Sequence, residues 1–493
     1  MPNHPTGAVH EVGTDELFFS TTDAKGIIKR ANSVFVRLAH FDADTLSEAP
    51  HNLIRHPSMP AAAFHVMWDT LKAGRPFAAY VRNLAGNGSE YRVFATITPM
   101  RNGGYLSVRS RPMRTDLEET AYGLYEQTLA FEQEVAAGGA NRRDTAAQGA
   151  GKLLELLAEA GLDSYEVFQN MALPAEVASR EESVQGLPQR AGAAGSYARA
   201  LEAVHALSAS LDSWMSRLEA LADLAHALKR SSKRLGRAVN NPAISTASVS
   251  GLDRSDAHLP TLGQLLDLWL HMQGLITPQV TSLQQTLAQM EATVGHTRFR
   301  IALARLHAAM TATFLAELID GGAGGDKAAG TEGAGPGGPG GMTGTAGAES
   351  SAGTSADPEL TRGAINELGH ALQEGIEDFT AQTRRYQELA KQTGDAISQA
   401  QRLLTIPHQL LMLWTNSPDS QDPNLSEAAR SLTKAAATAV GDSERVLTDL
   451  TGIVEQCTTA AAGDGVGQDA DLQALVTRVR EAIAEKEQGP HCL

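Results

Sequence analysis

The amino-acid sequence predicts an α+β domain, with a five-stranded antiparallel sheet and helices on one face, followed by a mainly α-helical bundle or coiled-coil region. Two observations lead to this prediction. Near the amino terminus, segments rich in β-branched and aromatic residues flank one short amphipathic helix, the pattern of an antiparallel sheet with helices packed on it. Farther along, apolar residues recur at alternating spacings of three and four, which is typical of helices that pack along their length.

The length and composition of the chain limit the classes of protein to which it can belong. With 493 residues it is too long for one hydrophobic core, so we expect several folding units. Its formal net charge of −16 argues against a nucleic-acid partner or an anionic membrane surface. The two cysteines, Cys457 and Cys492, are too few for a disulfide framework, which fits a reducing cytoplasmic compartment. We find no signal peptide and no run of about 20 apolar residues, so we expect no membrane span.

We divide the chain into a flexible N-terminal cap (residues 1–15), the α+β domain (16–112), a helical region (113–320), a Gly-rich disordered linker (321–357) and a second helical region (358–493). Five strands are predicted in the α+β domain, at Leu17–Thr22, Ile27–Ala31, Pro76–Ala85, Glu90–Met100 and Tyr105–Arg109. A turn at Asp23–Gly26 joins the first two strands. The Gly86–Gly88 turn between the third and the fourth is a strong hairpin signal.

The segment Ala49–Gly74 is the most informative part of this domain. Pro57 and Pro60 forbid a continuous helix through it, so the backbone must turn before a helix begins at Ala61 and runs to Lys72. That helix places four apolar residues on one stripe: Phe64, Met67, Trp68 and Leu71. A bent loop leading into an aromatic stripe can form the wall of a small-molecule pocket. The alternative is an ordinary helix packed on the sheet, with histidines on its surface.

Residues Glu16–Arg111 resemble the PAS domain of bacterial aerotaxis receptors, most specifically in the motif HNLIRHPSMP and in the FHVMW segment that follows it. That family binds FAD non-covalently in the groove between sheet and helices and reports the respiratory redox state. The resemblance therefore implies a flavin pocket, whose matching positions in this chain are Asn32, His51, Arg55, His56, Phe64, Trp68 and Asn83. The chain departs from the family at two positions, since Ser58 replaces an acid and Arg92 replaces a tryptophan.

Two other interpretations of the pocket stay open. Some PAS domains hold haem through a histidine on these helices, so His56 or His65 would be the ligand in a haem-binding gas sensor. A PAS domain without a cofactor would serve only in dimerisation, as part of a scaffold. We expect the chain not to be an enzyme, because it has no nucleophile–base motif, kinase signature or phosphate-binding loop. We also expect no metal site, because no cluster has metal-ligand spacing.

The segment after the domain is predicted to be helical, beginning with a helix at Thr115–Val135. Gly138–Gly151 is expected to interrupt it, and two short helices, Lys152–Ala160 and Ser164–Met171, should follow. A heptad seam then runs from Val204 to Val239 without a slip, which is the pattern of left-handed helix packing. Such a seam must be covered by a partner helix.

Two further apolar series, Leu262–Val294 and Phe299–Leu318, complete a predicted antiparallel bundle, and Pro278 is expected to kink or split the first. The seam can pair within this bundle or with its copy in a homodimer, and we expect both. The linker has almost no apolar bulk to bury. Beyond it we predict helices at Pro358–Leu404, Leu425–Ala461 and Asp469–Lys486, with breaks at Pro407, Pro418–Pro423 and Gly463–Gly467.

These observations together predict a soluble cytoplasmic signal-transduction protein. In the expected mechanism, a PAS-bound FAD reports redox or oxygen state, because hydrogen bonds from the pocket residues change with the charge on its ring. The helices relay that change to an unknown downstream signalling partner, and the helical region forms a homodimer.

Overall fold

The structure is a computed structural model that describes residues 4–101, 103–184, 186–239, 244, 259–327, 358–462 and 465–487. The chain forms two compact units. The first comprises Met1–Ser213, Arg298–Phe379 and Asp469–Leu493, and the second comprises Trp214–Thr297 and Thr380–Gln468. The α+β domain therefore lies wholly within the first unit.

The first unit contains the predicted five-stranded antiparallel sheet. Its strands are β1 (Leu17–Thr22), β2 (Ile28–Ala31), β3 (Phe77–Leu84), β4 (Glu90–Pro99) and β5 (Tyr105–Ser110), in the spatial order β2-β1-β5-β4-β3. Between β2 and β3 lie α1 (Ser33–Ala39), α2 (Ala43–Leu46), a 3-10 turn (His51–Ile54) and α3 (Ala61–Lys72). The strands and α3 agree closely with their predicted bounds.

Local sequence sets the two turns that shape this domain. Pro60 is extended, with a ψ of 148°, and α3 begins at the next residue, as predicted. At the hairpin between β3 and β4, Gly86 N donates a hydrogen bond to Ala39 O at 2.7 Å. A Cβ on Gly86 would overlap the carbonyl oxygen of His40, so this close approach requires glycine. The core between sheet and helices includes Phe18, Phe35, Leu38, Ile54 and Val93.

The N-terminal segment that was expected to be a flexible cap lies along β4 over its described residues. Glu90 N donates to Ala8 O at 2.7 Å, and His10 N donates to Glu90 O at 3.0 Å. The His10 ring packs against Tyr91, with 5.2 Å between ring centroids, and Val12 is buried. This part of the segment therefore packs as part of the folded domain.

Three helices follow the sheet: α4 (Thr115–Ala137), α5 (Arg142–Glu159) and α6 (Tyr165–Ser183). The expectation that Gly138–Gly151 interrupts the helical structure is wrong for most of that segment, because α5 begins at Arg142. The side-chain oxygen of Asn141 sets this start, since it accepts hydrogen bonds from Arg143 N and Asp144 N at 3.0 Å.

Helix α6 packs on the face of the sheet opposite α3 and continues past Met171, its predicted end, to Ser183. Phe168 lies against Tyr80, with 6.2 Å between ring centroids, and Tyr80 Oη donates to Glu176 Oε1 at 2.6 Å. Successive residues of a strand face opposite sides, so Tyr80 points away from the side that its neighbour Val81 faces. Helices thus cover this second face as well.

Most of the remaining described chain is helical, in α7 (Ser196–Val239), α8 (Leu259–Lys327), α9 (Pro358–Thr415), α10 (Glu427–Ala462) and α11 (Gly465–Glu487). The predicted heptad seam lies in α7, and most of its described residues are buried, among them Leu207, Leu211, Leu218 and Leu228. The break predicted at Pro418–Pro423 contains a 3-10 turn, Pro418–Gln421. Pairing of the seam in a homodimer stays a prediction.

Two prolines that were expected to mark breaks lie inside continuous helices. Pro278 does not split α8, and the break predicted at Pro407 is wrong because α9 runs through it. Pro278 cannot bond the carbonyl of Gly274, but both residues lie on the exposed side of α8, where water can bond that carbonyl instead. The apolar series Leu262–Val294 and Phe299–Leu318 therefore belong to one helix, α8.

The predicted linker and the break at Gly463–Gly467 fall partly outside the described residues. α8 continues to Lys327, so the first residues assigned to the linker are helical, and residues 328–357 lie outside the described part. α11 begins at Gly465, so the later part of the break predicted at Gly463–Gly467 is helical. Residues 463–464 lie outside the described part of the chain.

The second unit is built from parts of α7, α8 and α9 and from α10, around one apolar core. That core includes Leu228, Trp269, Leu287, Ile397 and Leu450. Among the described residues of the whole chain, one helix, within Gly263–Gly321, is long and apolar enough to cross a membrane, judged by length and composition alone. Because 78% of its most apolar window is buried inside the protein, a core helix gives the same signal.

Candidate functional site

A cavity of about 140 Å³ lies between α3 and the sheet. One water molecule needs about 10–15 Å³ of such space, so the cavity has room for a much larger occupant. Its helical wall is the predicted apolar stripe of α3: Phe64, Met67, Trp68 and Leu71. Its sheet wall includes Val81, Asn83, Ala95, Ile97, Tyr105, Ser107 and Arg109. An apolar lining with a few polar groups is the usual composition of a cofactor or ligand site.

Trp68 is held in the helical wall by contacts with two other elements. It lies edge-to-face against Tyr105 of β5, with 5.4 Å between ring centroids. It also packs on the turn before β2, where a Cβ on Gly26 would lie 3.3 Å from Trp68 Cη2. Gly26 has a φ of +78°, a conformation that favours glycine. The indole therefore has a fixed position at the edge of the cavity.

Arg109, on β5, brings a buried positive charge to the sheet wall. The residue is 3% exposed, and its Nη2 donates hydrogen bonds to Ser20 Oγ at 3.1 Å and to His51 Nε2 at 2.5 Å. Among the described residues, the guanidinium has no carboxylate partner. Burial lowers the pKa of Arg109 to about 10, so the side chain stays protonated at neutral pH.

His51 is neutral at physiological pH. Burial, and then the charge of Arg109, lower its pKa to about 3. Because Nε2 accepts a hydrogen bond from Arg109, we assign the ring proton to Nδ1. The neutral imidazole orients the guanidinium without cancelling its charge.

Three polar atoms of the sheet wall have no hydrogen-bond partner among the residues that the structure describes: Asn83 Nδ2, Ser107 Oγ and Arg109 Nη1. These residues are 4%, 5% and 3% exposed, respectively. A buried polar group without a partner costs about 1–3 kcal/mol, and proteins leave few of them. All three residues line the one cavity, so these atoms are available to a group with hydrogen-bond acceptors placed there.

Five of the seven predicted site residues line the cavity: His51, Arg55, Phe64, Trp68 and Asn83. The Arg55 guanidinium carbon lies 4.2 Å from the centroid of the Phe64 ring. Arg55 Nη2 also donates to Met59 O at 2.8 Å. Arg55 therefore joins the bend before α3 to the first turn of the helical wall.

Asn32 and His65 do not line the cavity. Asn32 caps α1, because its Oδ1 accepts from Phe35 N at 3.2 Å, and its Nδ2 donates to Leu17 O at 3.3 Å. His65, one of the two haem ligands considered, lies with Nε2 3.3 Å from Asp69 Oδ2 on the same helix. Both side chains thus have local structural contacts rather than a place at the cavity.

His56, the other haem ligand considered and a predicted flavin contact, also lies outside the cavity wall. Its Nδ1 is 2.6 Å from Ser58 Oγ, and its Nε2 is 3.7 Å from Glu90 Oε2. Ser58, which replaces the acid of the family motif, therefore orients His56 itself. Arg92, which replaces the tryptophan, bonds Glu90 at 2.8 Å and lies 5.5 Å from the Tyr122 ring centroid, so it forms no cavity wall.

Sequence reasoning missed Ser107 and Arg109. Both lie on β5 at alternate positions with Tyr105, and the period of two along a strand puts these three side chains on one face. All three line the cavity. An arginine on the inward face of a strand is the signal that could have identified this wall, because arginine is seldom fully buried without a partner.

Comparison with known proteins identifies the type of the N-terminal domain. No family model matches the chain. A stretch of 117 residues, at its N-terminal end, is 42% identical to the aerotaxis receptor of Escherichia coli (strain K12). The N-terminal domain is a PAS-type domain related to that receptor. The match covers 22% of this chain and 23% of the receptor, so it spans about a quarter of the receptor's length.

Several solved structures show partial similarity to this chain. A fungal LOV-domain photoreceptor is 19% identical, covering 22% of this chain and 80% of its own, with a TM-score of 0.18. A variant of the protein RsLOV is 16% identical, covering 29% of this chain and 88% of its own, with a TM-score of 0.19. The blue-light activated histidine kinase of Erythrobacter litoralis is 9% identical, covering 35% of this chain and 59% of its own, with a TM-score of 0.19.

Proposed function

We propose that the PAS domain binds FAD in the cavity and that the chain senses redox or oxygen state. The observation that carries this proposal is the set of unpartnered atoms on Asn83, Ser107 and Arg109. They provide hydrogen-bond donors on the sheet wall, opposite the apolar and aromatic stripe of α3. A flavin ring is a flat, largely apolar body with carbonyl oxygens and ring nitrogens along its edge, so the residues present fit this group. The resemblance to aerotaxis receptors implies the same cofactor.

A bound flavin supplies reversible electron transfer, and residues of this chain would make its state detectable. Arg109 places a positive charge on the wall, so its hydrogen bond to an acceptor strengthens as that acceptor becomes more negative. His51 and Ser20 fix the direction of the guanidinium. The apolar stripe of α3 excludes water, which keeps these interactions strong. A charge-assisted hydrogen bond is worth about 1.5–3 kcal/mol, enough to shift a two-state equilibrium about 10- to 100-fold.

The remaining parts of the proposal concern the output. Helix α4 follows directly after β5, so we expect it to carry the signal toward a downstream partner protein. On this proposal the chain is not an enzyme, acts in the cytoplasm and forms a homodimer through its helical region. Sedimentation tests the last point, because a dimer has twice the 52.1 kDa mass of the chain.

The structure gives less support to haem. His56 and His65 do not line the cavity, and the Nε2 of His51, which does, already accepts a hydrogen bond from Arg109. A haem sensor would therefore need a rearranged wall.

The test is a titration of FAD into full-length chain freed of its native cofactor, followed by quenching of flavin fluorescence. We expect saturable binding with one FAD per chain, weakened in Ser107→Val. The matched control is Ser110→Val, because Ser110 lies on the same strand, is equally buried at 5% and faces the opposite side. Absence of saturable binding, or equal loss in both variants, would overturn the proposal.

A further inference from the structure

Helix α3 is capped by a side chain from another helix. The carboxylate of Glu132, on α4, accepts hydrogen bonds from Ala61 N at 2.8 Å and Ala62 N at 2.6 Å. The first N–H groups of a helix have no partner within it, and Pro60, the residue before α3, makes no side-chain cap. Glu132 therefore satisfies donors that α3 cannot satisfy itself.

This contact is well placed to be strong. Glu132 is 5% exposed, so water competes little for its oxygens. A carboxylate at a helix N-terminus also gains from the helix dipole and from charge-assisted hydrogen bonds. The charge of Glu132 also raises the pKa of Arg55, against the larger lowering effect of burial, so the carboxylate acts on a residue of the cavity wall.

Helix α5 leaves room for the same carboxylate. A Cβ on Gly149 would lie 2.6 Å from Glu132 Oε1 and 2.8 Å from Glu132 Cγ. Any side chain at that position would push Glu132 away from α3. Three helices thus share one close contact, and it depends on a glycine in α5 as well as on the glutamate in α4.

Another side of α3 faces the cavity. The helix whose first N–H groups bond Glu132 is the helix whose stripe of Phe64, Met67 and Trp68 lines the cavity. A change of cavity content that displaces α3 must therefore stretch or shift the hydrogen bonds to Glu132. Because Glu132 is part of α4, the same displacement acts on the helix that leaves the sheet.

We propose that Glu132 is the positioning residue that couples the content of the cavity to α4. The inference rests on the proposed function only for the identity of the occupant, because the contact itself needs no cofactor. Glu132 itself does not line the cavity, so its role is transmission and not binding.

The test is hydrogen exchange, followed by mass spectrometry, on the full chain with the cavity altered in two ways. One alteration is reduction of the bound flavin, and the other is Ala95→Leu, which fills the cavity from β4 without any cofactor. In the otherwise wild-type chain, we expect each alteration to change amide exchange about threefold or more in both α3 and α4. In Glu132→Gln, the change should persist in α3 and disappear in α4.

Two controls use the same substitution on other glutamates. Glu134→Gln changes an exposed residue on the same helix. Glu176→Gln changes a buried carboxylate that accepts from Met113 N and Arg114 N, at the start of α4, without touching α3. In both controls, α4 should still respond to the cavity. If Glu132→Gln does not fold, Gly149→Ala displaces the carboxylate from the side of α5 and should give the same loss.

An α4 that still responds in Glu132→Gln and in Gly149→Ala would overturn the proposal, as would an α4 that never responds in the wild-type chain. A colourless protein would remove the flavin arm and contradict the proposed function. The Ala95→Leu arm would then still decide the role of Glu132.

Discussion

The guanidinium of Arg109 donates a hydrogen bond to Nε2 of His51, at 2.5 Å, inside the cavity of the PAS domain. The imidazole is neutral, so it directs the arginine without compensating its charge. Within the described part of the chain, no carboxylate compensates it either. A buried charge without a counter-charge is costly for a folded protein. On the proposed function, an acceptor on the ligand would offset that cost.

Replacement of this charge should separate binding from stability. In Arg109→Met, we expect FAD affinity to fall about 10- to 100-fold, the equivalent of a charge-assisted hydrogen bond of about 1.5–3 kcal/mol. The cofactor-free protein should be no less stable than the wild type, because the variant removes a buried cation that has no carboxylate partner among the described residues. Fluorescence titration and thermal unfolding without cofactor measure the two effects. Arg111→Met, at a half-exposed position bonded to Glu11, is the control and should leave affinity unchanged. A loss of stability without a loss of affinity would contradict the assignment.

Filling the cavity should abolish binding and leave the domain folded. Ala95 lines the cavity and is 4% exposed, so a leucine there extends into existing space. Overpacking a filled core costs about 1–3 kcal/mol, and we expect Ala95→Leu to cost less because the space is open. The purified variant should be colourless, with an unfolding midpoint close to that of the cofactor-free wild type. A variant that retains flavin would show that the cofactor binds elsewhere.

The acid stability of the first unit should depend on His307. This residue of α8 is 1% exposed and lines a second cavity, with Arg300, Glu374 and Asp378 among the other lining residues. Burial lowers its pKa to about 4, from an ordinary value of 6.5. Because the unfolded chain then binds the proton at higher pH, the free energy of unfolding should fall by about 3 kcal/mol as pH drops from about 6.5 to about 4.

Calorimetry of the wild type and of His307→Gln at pH 7 and pH 5 tests this. The unfolding temperature of the first unit should drop more steeply in the wild type, since the variant has no group to titrate at that position. Other acidic groups contribute equally to both proteins, so the difference isolates His307. Equal drops would mean that His307 is accessible to protons in the folded state.

The thiol of Cys457 should be unreactive in the folded second unit. The residue is fully buried, and burial raises its pKa to about 11 from 9.0. At a fixed pH below these values, that shift alone lowers the thiolate fraction about 100-fold. In a Cys492→Ser background, modification by iodoacetamide should therefore be at least about 100-fold slower in buffer than in urea. Rapid modification in buffer would show that this core opens readily.

The sequence is sufficient to predict the parts of the fold that follow local rules. Pro57 and Pro60 place the start of α3 at Ala61, because proline restricts the residue before it and cannot continue a helix. The spacing of Phe64 and Trp68 along that helix identifies the wall that the structure places at the cavity. The strands agree for the same reason, since alternation and turn glycines are local signals.

The rest depends on contacts between distant segments. The role of Arg109 depends on the position of β5 between β1 and β4, which brings the side chain to His51. No local sequence pattern specifies that strand order. Asn32 belongs to the family motif but serves as a helix cap, so motif membership alone does not distinguish a ligand contact from a structural one. Pro407 shows the limit of local rules. Proline is expected to break a helix, but packing in the second unit keeps α9 continuous through this residue.

The visible absorption spectrum of the purified full-length chain, before and after addition of a chemical reductant, tests the central claim most directly. The account predicts the paired bands of oxidised flavin, bleached on reduction, with FAD identified by mass spectrometry of the released cofactor and reduced in amount in Arg109→Met. A colourless protein, or the single intense band of haem, would contradict it.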